Sequence, residues 1–385
     1  MTGVLRRAVM RDHSVHERPS TPLELLFDLC FVVAVAFLAA ELHHGIAAGH
    51  PLAAITAYAL LFIPIWWAWM SYTWFATAFS HDDPLTRVLT FAQMGGVLAL
   101  AAAIPSASRG ELVPFAIAYA VMRLPLVLAW LRSAYADPPH RAFALTYAVG
   151  SVVAQALWVI GAVAGGVLGT MIFVIALAVE LATPVLAVRR SPDRVFHPGH
   201  IAERYGLFTI IVLGETILAV STGLVEVVEG GLVAADALGV VVAALVIAAA
   251  LWWAYFGALS TEALVRNRAA AFLWGYGHYA VFAAIAAVGA GVRAQVDVVA
   301  GDGHGVGASG TVVVALASAV ALLALAAMVR AAESGRSVWH LVGPAGALVV
   351  AAAAVPLIGP VAGCALIALL VCTSAAGGGR RPDRG

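Results

Sequence analysis

Two acidic residues near the start of the first apolar segment are spaced so that they could act together on an ion or a proton. Glu24 and Asp28 stand four residues apart in the run TPLELLFDLCFV and therefore share one face of a helix. Thr21 and Pro22 are typical of the cap and the first turn of that helix. Like charges at this spacing repel, so we expect one carboxylate to have an arginine partner or to bind a proton.

Two further ionisable residues fall in the middle of apolar segments. Arg123, in AYAVMRLPLVLAW, is too deep for its guanidinium to reach the membrane surface easily, so we expect it to have a carboxylate partner. Such a pair either fixes helix packing or belongs to a path for a substrate or an ion. Glu180 precedes Pro184 by four residues. Because the proline frees the Glu180 carbonyl and bends the helix, this carboxylate could line a cavity.

Two later apolar segments also carry ionisable residues. The run HIAERYGLFTIIVLGETILAV places Glu203 and Arg204 at the cytoplasmic entrance of a span and Glu215 well inside it. His278, in WGYGHYAVF, is central in another apolar segment. It is either a neutral histidine that is hydrogen-bonded across helices or a member of a proton relay.

The chain that carries these residues is strongly apolar. Hydrophobic residues make up 63% of its 385 residues, and Asp, Glu, Lys and Arg only 11%, whereas soluble domains carry about 25% charged residues. This composition excludes a soluble enzyme. The zero net charge and the lack of a basic block exclude a disordered or nucleic-acid-binding chain. We predict an all-α, polytopic transmembrane helical bundle in contact with the lipid bilayer.

Polar and Gly- or Pro-rich breaks divide the sequence into about twelve candidate spans of roughly 20 residues. They cover residues 22–45, 52–77, 84–104, 112–132, 141–163, 167–188, 200–223, 233–258, 268–292, 310–330, 338–356 and 358–375. Pro356, Gly359 and Pro360 interrupt the last two, so eleven spans are the alternative.

The arginines indicate the orientation of the spans, because basic residues collect in cytoplasmic segments. If the N-terminus is inside, only Arg109 and Arg293 fall in outer segments and Arg123 lies within a span, while the other arginines are in inner segments. This distribution predicts an even number of spans and two cytoplasmic termini.

A weak internal repeat divides the chain. The segments Trp66–Trp69 (WWAW) and Trp252–Tyr255 (WWAY) stand six spans apart, and the segments that follow them align at nearly the same offset. We infer a parallel 6+6 repeat, although interfacial tryptophan belts look alike in unrelated helices. The predicted divisions are a cytoplasmic segment 1–21, six-helix halves 22–188 and 189–375, and a basic cytoplasmic tail 376–385.

Enzyme motifs do not accompany these residues. Asp82 and Asp83, in HDDPLTR, lack the second acidic motif with which membrane prenyltransferases hold Mg²⁺ and diphosphate, and helix capping explains the pair. The sequence contains no G-x-S-x-G, H-E-x-x-H or Walker A motif. We expect no metal site, no cofactor and no enzymatic activity. Two alternatives stay open, namely an intramembrane enzyme acting on a lipid or isoprenoid, and a non-catalytic membrane protein for a partner complex or for cold or stress adaptation.

Several longer motifs lie in the first three quarters of the chain. They are TPLELLFDLCFV, WWAWMSYTWFA, DDPLTR with AQM, AYAVMRL, VELATP and HIAERYGLFTIIVLGETIL. Together they resemble the bacterial low temperature requirement A (LtrA) family over residues 20 to about 292. The resemblance implies a multi-pass protein of the bacterial inner membrane. It implies no defined activity, because the family is named for a growth phenotype in the cold.

A second resemblance concerns the segment RYGLFT, which starts at Arg204. It is similar to the R-x-x-x-F-S-D signature that opens each six-helix repeat of the endolysosomal potassium channel family, with Phe208 at the phenylalanine. Phe27 and Asp28 look like a reduced version of it in the first span. Ile210 stands where the signature has its aspartate. The resemblance implies a 6+6 layout and an ion pore.

These residues predict a transporter-like or channel-like protein with an ion or proton site of buried carboxylates and arginine. A carboxylate would bind the ion or proton, and Arg123 would hold it in register or bind an anionic group. The candidate pathway residues are Glu24, Asp28, Arg123, Glu180, Glu203, Arg204, Phe208, Glu215 and His278. A small ion or small-molecule substrate is the expected partner, no nucleic acid is expected, and a homo-oligomer is compatible with the sequence.

Overall fold

The computed structural model of the chain describes residues 9–10, 19–80, 83–191, 196–229, 235–259, 264, 268–300, 308–333 and 335–377. These residues are almost entirely helical, which confirms the prediction of an all-α fold. The exception is a two-residue antiparallel pair in which β1 (Val9–Met10) lies beside β2 (Phe79–Ser80).

Thirteen α-helices lie within the described residues. They are α1 (Pro22–Ala47), α2 (Pro51–Ala78), α3 (Pro84–Ala102), α4 (Ile104–Ser108), α5 (Leu112–Ala136), α6 (Arg141–Ala164), α7 (Gly166–Val188), α8 (Pro198–Glu229), α9 (Ala235–Ala258), α10 (Arg268–Ala300), α11 (Ser309–Ala332), α12 (Trp339–Ile358) and α13 (Pro360–Gly377). A single 3₁₀ turn, Pro138–His140, precedes α6.

Eleven helices among the described residues are long and apolar enough to cross a bilayer. The segment expected to hold the last two spans is broken at Gly359, whose φ of 81° interrupts the helix and separates α12 from α13. The apolar part of α13, Pro360–Ala375, is shorter than an ordinary span. The protein is therefore a multi-pass membrane protein, and its span count agrees with the predicted eleven or twelve.

The helices form two compact units. The first unit comprises Met1–Phe37 and Ile63–Arg204, and the second comprises Leu38–Phe62 and Tyr205–Gly385. In the first unit α5 packs against α3 and α6, and α6 packs against α7. In the second unit α11 packs against α10 and α12, and α13 packs against α9 and α12. The predicted repeat halves, 22–188 and 189–375, have other boundaries than these two units, and the repeat stays a prediction.

Small residues let the helices of the first unit approach closely. A Cβ atom added at Gly96 of α3 would lie 2.6 Å from the Cα atom of Met122 in α5. A Cβ atom at Gly150 of α6 would collide with the Thr183 side chain in α7. Close backbone approach at small residues is the usual basis of helix packing in membranes. It places the buried faces of α5, α6 and α7 near one another.

The sequence of α5 separates an outward apolar face from a buried face that contains Arg123. Leu124 and Leu128 are 56% and 54% exposed, as expected of side chains that face lipid. Tyr119, Arg123 and Leu126 are each at most 4% exposed. The helical period thus turns Arg123, in the middle of this helix, inward.

Candidate functional site

The first unit contains a buried ion pair between α1 and α8. Asp28 and Arg204 have no exposed surface. Arg204 Nε donates to Asp28 Oδ2 at 3.0 Å and its Nη2 donates to Oδ1, so the contact is bidentate. Trp69 Nε1 of α2 donates to the same Oδ1 at 2.7 Å. Arg204 therefore supplies the arginine that the position of Asp28 required.

Glu24 extends this pair toward the start of α1. Its Oε2 accepts from the backbone N–H of Thr21 at 2.7 Å and from the Thr21 hydroxyl at 2.9 Å, as in a capping box. Its Oε1 lies 3.8 Å from Nη1 of Arg204 and 3.3 Å from Nε2 of His200. Glu24 thus stabilises the start of α1 and also contacts two cationic or titratable side chains of α8.

His200 connects Glu24 to the end of α2. Its Nδ1 lies 2.7 Å from Oγ1 of Thr77, and both side chains are fully buried. The Thr77 hydroxyl donates to the carbonyl of Thr73 at 3.0 Å, so Oγ1 is the acceptor toward Nδ1. An ionised Glu24 carboxylate can only accept, so a hydrogen bond in this contact requires a proton either on Nε2 of His200 or on Glu24. We call Glu24, Asp28, Trp69, Thr77, His200 and Arg204 the Asp28–Arg204 network.

The helix places the two residues of the predicted entrance pair, Glu203 and Arg204, on different faces. Glu203 is exposed and accepts from the backbone N–H of Ser20 at 3.1 Å. Arg204, its neighbour in sequence, is buried and lies with its Cζ atom 5.8 Å from the centre of the Tyr72 ring. Successive helical residues point about 100° apart, so the two side chains do not form one entrance site. Arg204 belongs to the buried network instead.

A second polar cluster lies among α5, α6 and α7. Glu180 Oε1 accepts from the Tyr119 hydroxyl at 2.8 Å and from Gln155 Nε2 at 3.0 Å. Arg123 Nη2 donates to the Ser151 hydroxyl at 3.5 Å. All five side chains are buried. We call these residues the Arg123–Glu180 cluster.

The expected ion pair of Arg123 with a carboxylate is not formed in the described part of the chain. Glu180 is near enough to Arg123 for an electrostatic interaction, but Tyr119 and Gln155 occupy its Oε1 atom, and the Trp158 indole also interacts with its carboxylate. The only hydrogen bond found for Arg123 among the described residues is the one to Ser151. Arg123 and Glu180 are thus brought together without direct pairing.

The remaining candidates lie in the second unit. His278 is fully buried, and its Nδ1 lies 2.6 Å from the Trp274 carbonyl, which can only accept, so Nδ1 carries a proton. Nε2 lies 2.9 Å from the Tyr255 hydroxyl. A neutral imidazole satisfies both contacts, in agreement with the alternative of a neutral histidine that is hydrogen-bonded across helices.

Two more candidates also lie in the second unit. Glu215 is 8% exposed, and Phe208 is buried with its ring 5.0 Å from that of Phe282.

Asp83 caps α3, as the helix-capping interpretation of the acidic pair predicted. Its side chain accepts from the backbone N–H of Thr86 at 2.9 Å and from Arg132 through both carboxylate oxygens. Burial opposes ionisation, but the hydrogen bonds from Arg132 and Thr86 outweigh it and hold the pKa of Asp83 well below its usual value. Asp82 lies outside the described residues.

Sequence reasoning missed three polar partners of the candidates. His200 lies one helical turn before Arg204, and Tyr119 lies one turn before Arg123. Residues four apart share a helix face, so this spacing could have found both. Gln155 shares the buried face of α6 with Ser151 by the same spacing.

The comparisons with known proteins agree with the sequence motifs. The chain matches the family described as bacterial low temperature requirement A protein over residues 19–375. The chain belongs to this family. The LtrA match includes both polar clusters and confirms the resemblance inferred from the motifs.

One curated relative is a protein of Rhizobium meliloti (strain 1021) whose name is "uncharacterized protein". It is 30% identical to this chain over 220 residues, an alignment that covers 55% of this chain and 53% of the relative. The chain therefore spans about half the length of the curated relative it matches.

Proposed function

We propose that this LtrA protein moves protons or another small ion across the membrane, as a transporter or a channel, and that the Asp28–Arg204 network is its ion-responsive site. The observation that carries the proposal is the 3.3 Å contact of Glu24 with His200 beside a fully buried Asp28–Arg204 pair. Ionisable side chains are costly inside a membrane and mark ion or proton paths in pumps and transporters.

The chemistry of the network supports a proton as the coupled ion. Histidine is the side chain whose ordinary pKa lies nearest neutral pH. The charged or titratable groups around the Glu24–His200 contact are Glu24, Asp28, His200, Arg204 and, through the cation–π contact, Tyr72. Loss of a proton from this contact changes the charge next to the Asp28–Arg204 pair. The pair is therefore a structural element whose stability depends on the state of Glu24 and His200.

Flux measurements on purified protein in liposomes test this proposal. The liposomes enclose a pH-sensitive dye, and proton and potassium gradients are imposed in turn. We expect the wild-type protein to dissipate at least one gradient. Glu24→Gln and His200→Gln should slow this flux about tenfold or more, since tenfold corresponds to about 1.4 kcal/mol in a barrier. Glu41→Gln, which makes the same chemical change at a half-buried position of α1, is the matched control.

Two results would contradict the proposal. One is a wild-type protein that passes neither protons nor potassium. The other is a Glu24→Gln variant that conducts like the wild type and like Glu41→Gln.

We also propose that the protein lies in the bacterial inner membrane with both termini in the cytoplasm, as the arginine distribution predicts. Reporter fusions test this orientation. A fluorescent reporter that folds only in the cytoplasm should be bright at either terminus, and a periplasmic phosphatase should be active only when inserted at an outer segment such as the one that contains Arg109. Phosphatase activity at the C-terminus would contradict it.

A further inference from the structure

The Arg123–Glu180 cluster differs from the Asp28–Arg204 network in the number of its unsatisfied atoms. Arg123 is 4% exposed and Glu180 is 2% exposed, and both lie near the middle of their helices. Among the described residues, the Arg123 Nε and Nη1 atoms have no hydrogen-bond partner, and neither does Oε1 of Gln155. The indole N–H of Trp158, on the same helix as Gln155, interacts with the Glu180 carboxylate.

These unsatisfied atoms need hydrogen-bond partners that the surrounding helices do not supply. A buried polar group without a partner costs about 1–3 kcal/mol, and more when it is charged. The cluster has several such atoms, on Arg123 of α5 and Gln155 of α6, and its three helices pack in one unit. If Arg123 and Glu180 served only to neutralise each other, we would expect a direct ion pair, like the bidentate contact of Asp28 with Nε and Nη2 of Arg204.

The pattern of these atoms defines the chemistry of the occupant. Arg123 offers N–H donors, and its guanidinium carries a positive charge. Gln155 offers a free acceptor oxygen, and the Glu180 carboxylate is negative when ionised. A lone cation would be repelled by Arg123, and a lone anion would be repelled by Glu180. A small molecule that carries both a carboxylate and an ammonium group can pair with both Arg123 and Glu180.

We propose that the Arg123–Glu180 cluster binds a small zwitterionic solute of the amino-acid class, with its carboxylate on Arg123 and its ammonium group on Glu180 and Gln155. The position of the cluster near the middle of its helices is where transporters place their substrate sites. This inference deepens the proposed function by naming the solute that moves with the ion, but it concerns binding and is tested without any flux measurement.

Binding to the purified full-length protein in detergent tests the proposal. Each common amino acid is titrated separately and followed by calorimetry and by the shift in melting temperature. Acetate and methylammonium, which carry the two charged groups of glycine on separate molecules, are the matched single-charge probes. We expect saturable binding of at least one amino acid. Arg123→Gln and Glu180→Gln should each weaken it about tenfold or more, as expected for the loss of a charged hydrogen bond.

Control variants separate a lost site from a lost fold. Arg109→Gln and Glu41→Gln make the same chemical changes at exposed or half-buried positions and should bind like the wild type. A protein that binds an amino acid but passes no ion would retain this inference and refute the proposed function.

Three outcomes would overturn the inference. The first is that no amino acid binds, which would leave solvent as the occupant of the cluster. The second is that acetate or methylammonium binds as tightly as the amino acids do. The third is that Glu180→Gln and Arg123→Gln, shown by melting to be folded, bind an amino acid with wild-type affinity.

Discussion

Removing the charge of Asp28 should destabilise the protein by about 3 kcal/mol or more. In Asp28→Asn the buried Arg204 loses its bidentate acceptor, and the new amide group faces the donors of Arg204 and Trp69. Breaking a buried ion pair by removing one partner costs about 3–5 kcal/mol, because an uncompensated charge is left behind. Glu24, 3.8 Å from Arg204, offsets part of that loss and places the expectation at the lower end of the range.

A double-mutant cycle measures this coupling. Asp28→Leu and Arg204→Met are made singly and together, and unfolding in detergent micelles is followed by tryptophan fluorescence. Each single variant should lose about 3–5 kcal/mol, while the double variant should lie within about 1–2 kcal/mol of the wild type, since apolar replacement of a buried pair is often neutral. Single effects below about 1 kcal/mol, or a double effect equal to their sum, would refute the reasoning.

Three further predictions concern other parts of the molecule. Asp83 contributes stability that is complete above about pH 5 and is lost as the pH falls through its usual pKa of about 3.9 toward its lowered folded value. Asp83→Asn should therefore lower the melting temperature at pH 7 and flatten its acid dependence, and an unchanged acid profile would contradict this. Tyr255→Phe should cost about 1–2 kcal/mol, because it removes the partner of His278 Nε2, and a melting temperature equal to that of the wild type would count against it. Gly289→Ala should cost about 1–3 kcal/mol in unfolding measurements, since its Cβ atom would lie 3.0 Å from the Glu215 backbone, and a neutral effect would show that α8 and α10 can separate.

Much of the helical architecture could be predicted from the sequence because the membrane imposes a simple length rule. Runs of about 20 apolar residues must form helices in lipid, where every backbone group has to be satisfied internally. The break at Gly359 was visible for the same reason, because Pro356 and Pro360 flank a residue suited to positive φ. The contact between Val9–Met10 and Phe79–Ser80 was not visible, because two-residue strands carry no periodicity.

The candidate residues could be chosen from the sequence, but their partners could not. Asp28 and Arg204 are separated by 176 positions, and only the packing of α1 against α8 within the first unit joins them. The same holds for Tyr119 and Glu180, which are 61 positions apart. The placement of Glu203 and Arg204 on different helix faces could have been predicted from the sequence, because adjacent helical residues face different directions.

The central claim is that the buried charges of α1 and α8 serve ion movement rather than folding alone. The double variant Asp28→Leu/Arg204→Met tests it most directly, because it removes the charges without leaving one unpaired. Its proton and potassium flux is measured in liposomes beside the wild type, with equal amounts of folded protein inserted. We predict a folded protein whose flux is lost. A double variant that folds and conducts like the wild type would contradict the account.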